Sequence, residues 1–226
     1  MNQIEAYKIL LDDFSQLHRT LTEQRVQSYN RVLSEYVMLR KSIITKDSGI
    51  ALNFNPLNLF NVAFDENTHS NILAWLFDPY ETHSQGDLFF KAFLDYFNYN
   101  VIYPNFDYQV KREFSGSEAA IDILVYGKEF IFYIENKTLS SEGIDQTNRE
   151  YRDMMRLANA LNIDLCNAFP IYLSPYGQTP LSKKFRPIKY MELSHAFEMV
   201  LNHVASDYVR SFLNSWLSIA KNIGRF

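Results

Sequence analysis

The 226-residue chain has one cysteine, Cys166. That excludes an intramolecular disulfide framework and suits a reducing, cytoplasmic setting. The apolar context of Cys166 reads as a small core residue rather than a nucleophile. Seven glycines and seven prolines leave little room for long flexible linkers. No run of about 18 uncharged apolar residues occurs, so no membrane span is expected, and the first residues, Met1 to Glu5, lack the basic and apolar segments of a signal peptide. A glycine-rich phosphate loop and a nucleophile elbow are both missing, which argues against a hydrolase of small phosphoesters. With one cysteine and His18, His195 and His203 scattered, a four-ligand zinc site cannot be built. Positive charge is also scarce. A net charge of −4 means that any surface holding phosphates is local rather than global.

Aromatic residues are plentiful at 15%, with 18 Phe and 15 Tyr, and a chain of this composition is not disordered. One domain with a substantial core and a helical extension is the natural expectation. Residues 3 to about 40 carry Leu10, Leu11, Phe14, Leu17, Leu21, Val32, Leu33, Tyr36 and Val37 at helical spacing, which predicts one or two amphipathic helices. Ser48-Gly49 and Asn53-Phe54-Asn55-Pro56 mark a break. A helix with Asp65 as its N-cap and Pro79 beyond its end follows, then a second from Asp87 through Phe97. Strands are predicted near 108–114, 168–174 and 188–191. Helices are predicted at 144–161, 193–204 and 207–222. No internal repeat or low-complexity segment is visible.

The segment from Ala120 to Lys137 carries the chemistry. Two apolar runs flank Gly127-Lys128, a β-hairpin pattern, yet Asp122 interrupts the first run and Glu135 and Lys137 end the second. Buried charges of this kind are costly unless they are paired or hold a metal. Side chains alternate along a strand, so Glu135 and Lys137 share a face. A symmetric turn centred on Gly127-Lys128 pairs Asp122 with Tyr133 and leaves Glu135 on the diagonal, about 7–8 Å away. Two carboxylates reaching inward from there can share a divalent cation at about 2.1 Å per oxygen, with the lysine one step beyond. This is the geometry of a metal-dependent phosphodiesterase site. The plainer reading is a structural Glu135–Lys137 ion pair at a strand end.

Asp-x(12)-Glu-x-Lys closing a buried hairpin resembles the PD-(D/E)xK nuclease superfamily. The stretch from Asp65 to Pro79, with Glu66, His69, Ser70, Leu73, Ala74, Trp75 and Leu76, is similar to the helical signature opening one bacterial branch of it. His83-Ser84-Gln85-Gly86 followed by Phe89, Phe90 and Phe93 continues that likeness, which spans roughly residues 50 to 190. Gln146 and Tyr151 match a glutamine and tyrosine of RecB-like members. One departure is Ile121, where the superfamily name has proline.

The resemblance implies an α/β restriction endonuclease-like fold, an αβββαβ core with a central mixed sheet flanked by helices, in a domain over 48–226 preceded by an N-terminal helical arm over 1–47. It implies a nuclease that hydrolyses phosphodiester bonds, with DNA the expected substrate, and Mg²⁺ or Mn²⁺ as cofactor. Asp122 and Glu135 are the expected metal ligands, joined by the Asn136 carbonyl and by Glu66, an acid from a helix preceding the sheet. Lys137 orients or helps deprotonate the attacking water. Gln146 orders the site or binds substrate. For Glu66 and His69, which share a helix face, the alternatives are an acid stabilising the helix dipole and a satisfied structural histidine. His83 reads equally as facing the site or as a solvated loop residue. The run Lys183-Lys184-Phe185-Arg186-Pro187-Ile188-Lys189, with four basic residues in seven, is the best candidate for nucleic-acid contact. Arg112 and Lys111 are weaker candidates, and Glu113 reads as a surface strand residue. Tyr151 reads as core. A homodimer, or a protein partner engaging the N-terminal helices, fits the pattern. A bacterial or phage origin, with a role in defence, repair or mobile elements, follows from the resemblance alone. The alternative function is a non-catalytic interaction module of the same fold, binding protein or nucleic acid; the acidic charge suits it and the intact triplet opposes it.

Overall fold

The computed structural model describes the backbone of residues 3–46 and 54–223, and the side chains of 13–41, 54–103 and 105–223. The chain divides into two compact units, 1–54 and 55–226. The expected boundary at 47/48 and the Ser48-Gly49 break lie outside the described residues. In the first unit, α1 (Gln3–Lys46) is one uninterrupted helix, in place of the one or two expected. It contains no proline or glycine that would break it. Among the described residues no helix is long and apolar enough to cross a membrane.

In the second unit a short α2 (Pro56–Leu59) leads into α3 (Glu66–Phe77) and α4 (Leu88–Phe97). The Asp65 carboxylate accepts the Thr68 N–H at 2.7 Å, so α3 starts where its capping residue predicts. Then come β1 (Tyr108–Ser115), β2 (Ala120–Gly127), β3 (Ile131–Asn136), α5 (Gln146–Ala160), β4 (Ala168–Ser174), β5 (Arg186–Lys189), α6 (Tyr190–Glu198) and α7 (Asp207–Ala220). The sheet runs β1-β2-β3-β4-β5. Its first three strands form an antiparallel meander, and β4 and β5 add in parallel. A parallel neighbour requires a crossover, and α5 is that crossover between β3 and β4.

Alternation along β3 decides what each face meets. Phe132 and Ile134 enter the large core shared with α3, α4, α6 and α7, whereas Ile131 and Tyr133 enter a smaller core under Met154 and Ala158 of α5. All six residues of β3 are buried. The large core is aromatic: Phe132 stacks on Phe169 with centroids 4.7 Å apart, and Phe90 meets Tyr108 at 4.8 Å. This accounts for the phenylalanine content. Cys166 is exposed, contrary to the expected core position, because it falls in the turn entering β4 where Asp164 accepts its N–H at 3.0 Å.

Candidate active site

The hairpin turn lies one residue later than expected. Gly127 N–H donates to the Phe130 carbonyl at 3.0 Å, which puts Lys128 and Glu129 at the tip. The cause is Phe130, whose ring is fully buried and occupies the space a Cβ on Gly127 would need, 2.6 Å away. The register therefore pairs Ile123 with Ile134 and Leu124 with Tyr133. One step further sets Asp122 opposite Glu135, not on its diagonal. The Asp122 carboxylate accepts the backbone N–H of Asn136 at 2.8 Å, tying the first acid to the peptide that separates the second acid from the lysine.

Glu135 and Lys137 point to the α5 side of the sheet, and Asn136 to the opposite side. Glu135 is 2% exposed. Its Oε1 accepts from Lys137 Nζ at 2.5 Å and from Gln146 Nε2 at 2.5 Å. Lys137 Nζ also lies 3.3 Å from Glu66 Oε1, so the ammonium stands between acids from β3 and α3. The other oxygen of Glu66 accepts from Thr138 N–H at 3.1 Å and Ser140 Oγ at 2.6 Å. Asn136 is fully buried and held on three sides: its amide donates to Ser70 Oγ at 2.8 Å and the Glu66 carbonyl at 3.2 Å, and Tyr190 donates to it at 2.6 Å. Arg112 donates to the Asp122 carbonyl and, at 2.8 Å, to Asn71, with its guanidinium 3.9 Å from the Asp122 carboxylate.

Negative charge dominates this pocket. Burial, followed by the charges of Asp122 and Glu150, pushes the Glu135 carboxyl up to about 9. Burial also raises Asp122, against the pull of the Asn136 N–H and of Lys137. Burial alone would lower Lys137, but Glu135 beside it outweighs that and raises it. Carboxylates crowded in this way are relieved by a hard cation, for which they are the preferred donors. Among the described residues no group of three or more His, Cys, Asp or Glu side chains converges closely enough to hold a metal. The available donor set is thus two carboxylates with backbone oxygen and water, which fits Mg²⁺, an ion that keeps several waters.

The other expected residues divide clearly. Gln146, the first residue of α5, reaches the site. His69 does not: its Nε2 bonds the Ala63 carbonyl at 2.8 Å while Nδ1 accepts from Trp216 at 3.0 Å, and burial lowers its pKa. It is a satisfied core histidine. His83 is neither solvated nor at the site, being 1% exposed and bonded to the Asp78 carbonyl and the Gln85 N–H at 2.9 Å each. Tyr151 packs partly buried against the smaller core. Glu113 is exposed but has φ 46, a kink in β1 at the step facing Asp122. Lys111 sits over Tyr126 at 5.2 Å. Within the basic run, Phe185 is buried and Arg186 lies over Phe97 and Tyr99 at 5.5 and 5.0 Å, donating to the Phe97 carbonyl at 3.0 Å. Lys183 and Lys184 are exposed. They follow Ser182, whose N–H donates to Thr147 Oγ1 at 3.0 Å next to Gln146, so they flank the start of α5.

The family model of the PD-(D/E)XK nuclease superfamily matches residues 54–218. The chain belongs to that superfamily. No curated protein and no solved structure matches it. Membership agrees with the mixed five-stranded sheet between helices, which is the restriction endonuclease-like fold, and superfamily nucleases generally use divalent metals. Sequence reasoning named Ser70 only as part of the α3 signature and overlooked two other residues at this site, Tyr190 and Glu150. Ser70 and Tyr190 both hold Asn136, and Tyr190 carries no local signal. Glu150 does carry one, as an acid inside the stripe Thr147, Met154, Ala158 that α5 buries.

Proposed function

We propose that this superfamily member is a divalent-cation-dependent nuclease that hydrolyses phosphodiester bonds in DNA. The observation that carries the reading is the position of the Lys137 ammonium, between Glu135 and Glu66 and beside an Asp122 bonded to the peptide of Asn136. Asp122 and Glu135 would hold Mg²⁺ or Mn²⁺ together with the Asn136 carbonyl, and Glu66, whose oxygens are engaged by Lys137, Thr138 and Ser140, would steady Lys137 from the α3 side rather than bind the ion. A bound ion lowers the pKa of water and acts as a Lewis acid on a phosphoryl oxygen. Water oxygen attacks phosphorus and gives up a proton to solvent, while one P–O ester bond breaks and the departing oxygen takes a proton from solvent. Lys137, held protonated by Glu135, donates to the attacking water or to a phosphoryl oxygen and offsets the charge that develops there. Gln146 fixes the orientation of Glu135. Lys183 and Lys184 contact the phosphate backbone at the mouth of the site, and Arg112 supports Asp122. The activity belongs to the cytoplasm, and a second copy or a protein partner engages α1.

The test is cleavage of circular single- and double-stranded DNA and of RNA with Mg²⁺, Mn²⁺ or EDTA, comparing wild type with Asp122→Ala and Lys137→Ala. The expected result is cation-dependent cutting of DNA that both variants lose. Full activity in the variants, or no cutting and no Mn²⁺ binding by wild type, overturns the reading.

A further inference from the structure

The helix α1 is 44 residues long, about 66 Å at a rise of about 1.5 Å per residue, and every described side chain from Asp13 to Lys41 is exposed. A helix in a protein owes most of its stability to the packing of one apolar face, and α1 has such a face. Phe14, Leu17 and Leu21 are spaced by three and four residues, and Tyr29, Leu33 and Tyr36 by four and three, spacings that bring side chains together along one side of a helix. All six are between 48 and 69% exposed. Contiguous apolar surface of this kind marks a place where another molecule sits.

Two features identify the occupant. The spacing reads the same in both directions about Arg25: Phe14 and Tyr36, Leu17 and Leu33, and Leu21 and Tyr29 are each equidistant from it. A two-fold contact brings residue i onto j and j onto i, so a second α1 running the opposite way lays each apolar trio on the other. Charge is arranged in the same sense. From Gln3 to Glu23 the helix has four acidic and two basic residues, and from Gln24 to Lys46 one acidic and five basic. That one acid, Glu35, is paired with Arg31 at 3.0 Å within the helix. The helix dipole favours acids and bases so placed only in the first and last turns, whereas here the acids reach Glu23 and the bases begin at Arg25. Two antiparallel copies set acidic half on basic half; two parallel copies set like on like. We propose that the occupant of α1 is a second copy of this chain, its α1 antiparallel to the first and centred near Arg25. Arg25 is then the polar residue of the seam, of the kind that fixes register at a cost in stability. This narrows the α1 contact of the preceding reading to one partner and is independent of the cation site, so a failed cleavage assay leaves it standing.

The experiment is sedimentation equilibrium of the full chain at about 0.05 and about 0.5 M salt. Wild type is expected to move from 26.6 kDa towards twice that mass as concentration rises, and to associate on the order of 10-fold more weakly at the higher salt. Arg40→Glu with Lys41→Glu cancels the basic excess of the second half and is expected to weaken self-association on the order of 10-fold. Mixing that chain with one carrying Asp12→Lys and Asp13→Lys should restore pairing, because an acidic half again meets a basic one. In a parallel pair the Glu variant would associate more tightly than wild type. The proposal is overturned by wild type that stays monomeric at every concentration, by wild-type association that salt leaves unchanged or tightens, by self-association of the Glu variant at wild-type strength or above, or by a mixture no tighter than its parts. If circular dichroism shows that the Glu variant has lost helix, the mass and salt dependence of wild type decide.

Discussion

The carboxylate of Asp122 accepts the backbone N–H of Asn136 at 2.8 Å, so the first acid of the triplet is anchored to the strand that carries the other two charges. An asparagine at 122 can still accept that bond through its amide oxygen, but it has no charge. Asp122→Asn is expected to melt within a few degrees of wild type and to lose cation-dependent cleavage on the order of 100-fold. Nicking of circular DNA at fixed Mg²⁺, beside a melting curve, checks this. An unchanged rate would remove Asp122 from the site.

Asn136 is a structural hub, and its loss leaves Tyr190 and Ser70 buried with missing partners. Asn136→Ala is expected to cost about 3 kcal/mol and Tyr190→Phe about 1 kcal/mol, the larger value reflecting several polar groups stranded at once. Urea midpoints of the two variants give the comparison. Equal costs would mean that the Tyr190 bond is the only one of the three that matters.

Asp153 on α5 gathers the β1–β2 loop, accepting from Ser117 N–H and Oγ at 3.1 and 2.6 Å, from Glu118 and Ala119 N–H at 2.8 and 2.9 Å, and from Arg156 at 2.8 Å. Burial alone would raise its carboxyl, but these donors outweigh it and hold the group at about 2, against 3.8. The folded state therefore binds this proton more weakly than the unfolded state does. The resulting stability, about 2 kcal/mol, is fully present above pH 3.8 and is lost as pH falls through about 2. Asp153→Asn should flatten the stability profile over that acid window. A profile identical to wild type refutes the assignment.

The basic run separates into two kinds of residue. Replacing Lys183 and Lys184 together by Glu is expected to weaken DNA binding and to lower the salt dependence by about two phosphate contacts, with the melting temperature preserved. Arg186→Ala should instead cost about 1–2 kcal/mol in stability, because its guanidinium stacks on Phe97 and Tyr99 and bonds the Phe97 carbonyl. Binding isotherms at two salt concentrations, with urea midpoints, distinguish the roles. A salt slope unchanged in the double variant rejects phosphate contact there.

What could be read from sequence followed the range over which each signal acts. The span of β4 came from a run of apolar residues bounded by turns, and the start of α3 from Asp65 and its cap; both are local. The shared face of Glu135 and Lys137 came from strand alternation, which needs only the strand. The register between β2 and β3 came out two positions off. A turn tip cannot be placed without knowing that Phe130 is buried against Gly127, and burial is a tertiary fact. His83 failed for the same reason: Trp75 and Phe89 pack edge-on against it at 5.1 and 5.6 Å in a loop that sequence reads as open. Glu150 is a local anomaly, an acid in the stripe that α5 buries, but which stripe is buried depends on how α5 docks on the sheet.

The lock on the residue between the second acid and the lysine arrives from 54 positions further along the chain, when Tyr190 meets Asn136. The helix that carries Glu66 receives its own from 147 positions away, when Trp216 meets His69. The acidic hairpin closes through contacts short in sequence, whereas the frame that fastens it is built from residues of α6 and α7, whose long separations make it the costlier part to close. A chain stopped short of α7 is expected to carry every acid of the triplet without the Trp216 bond to His69 that steadies α3.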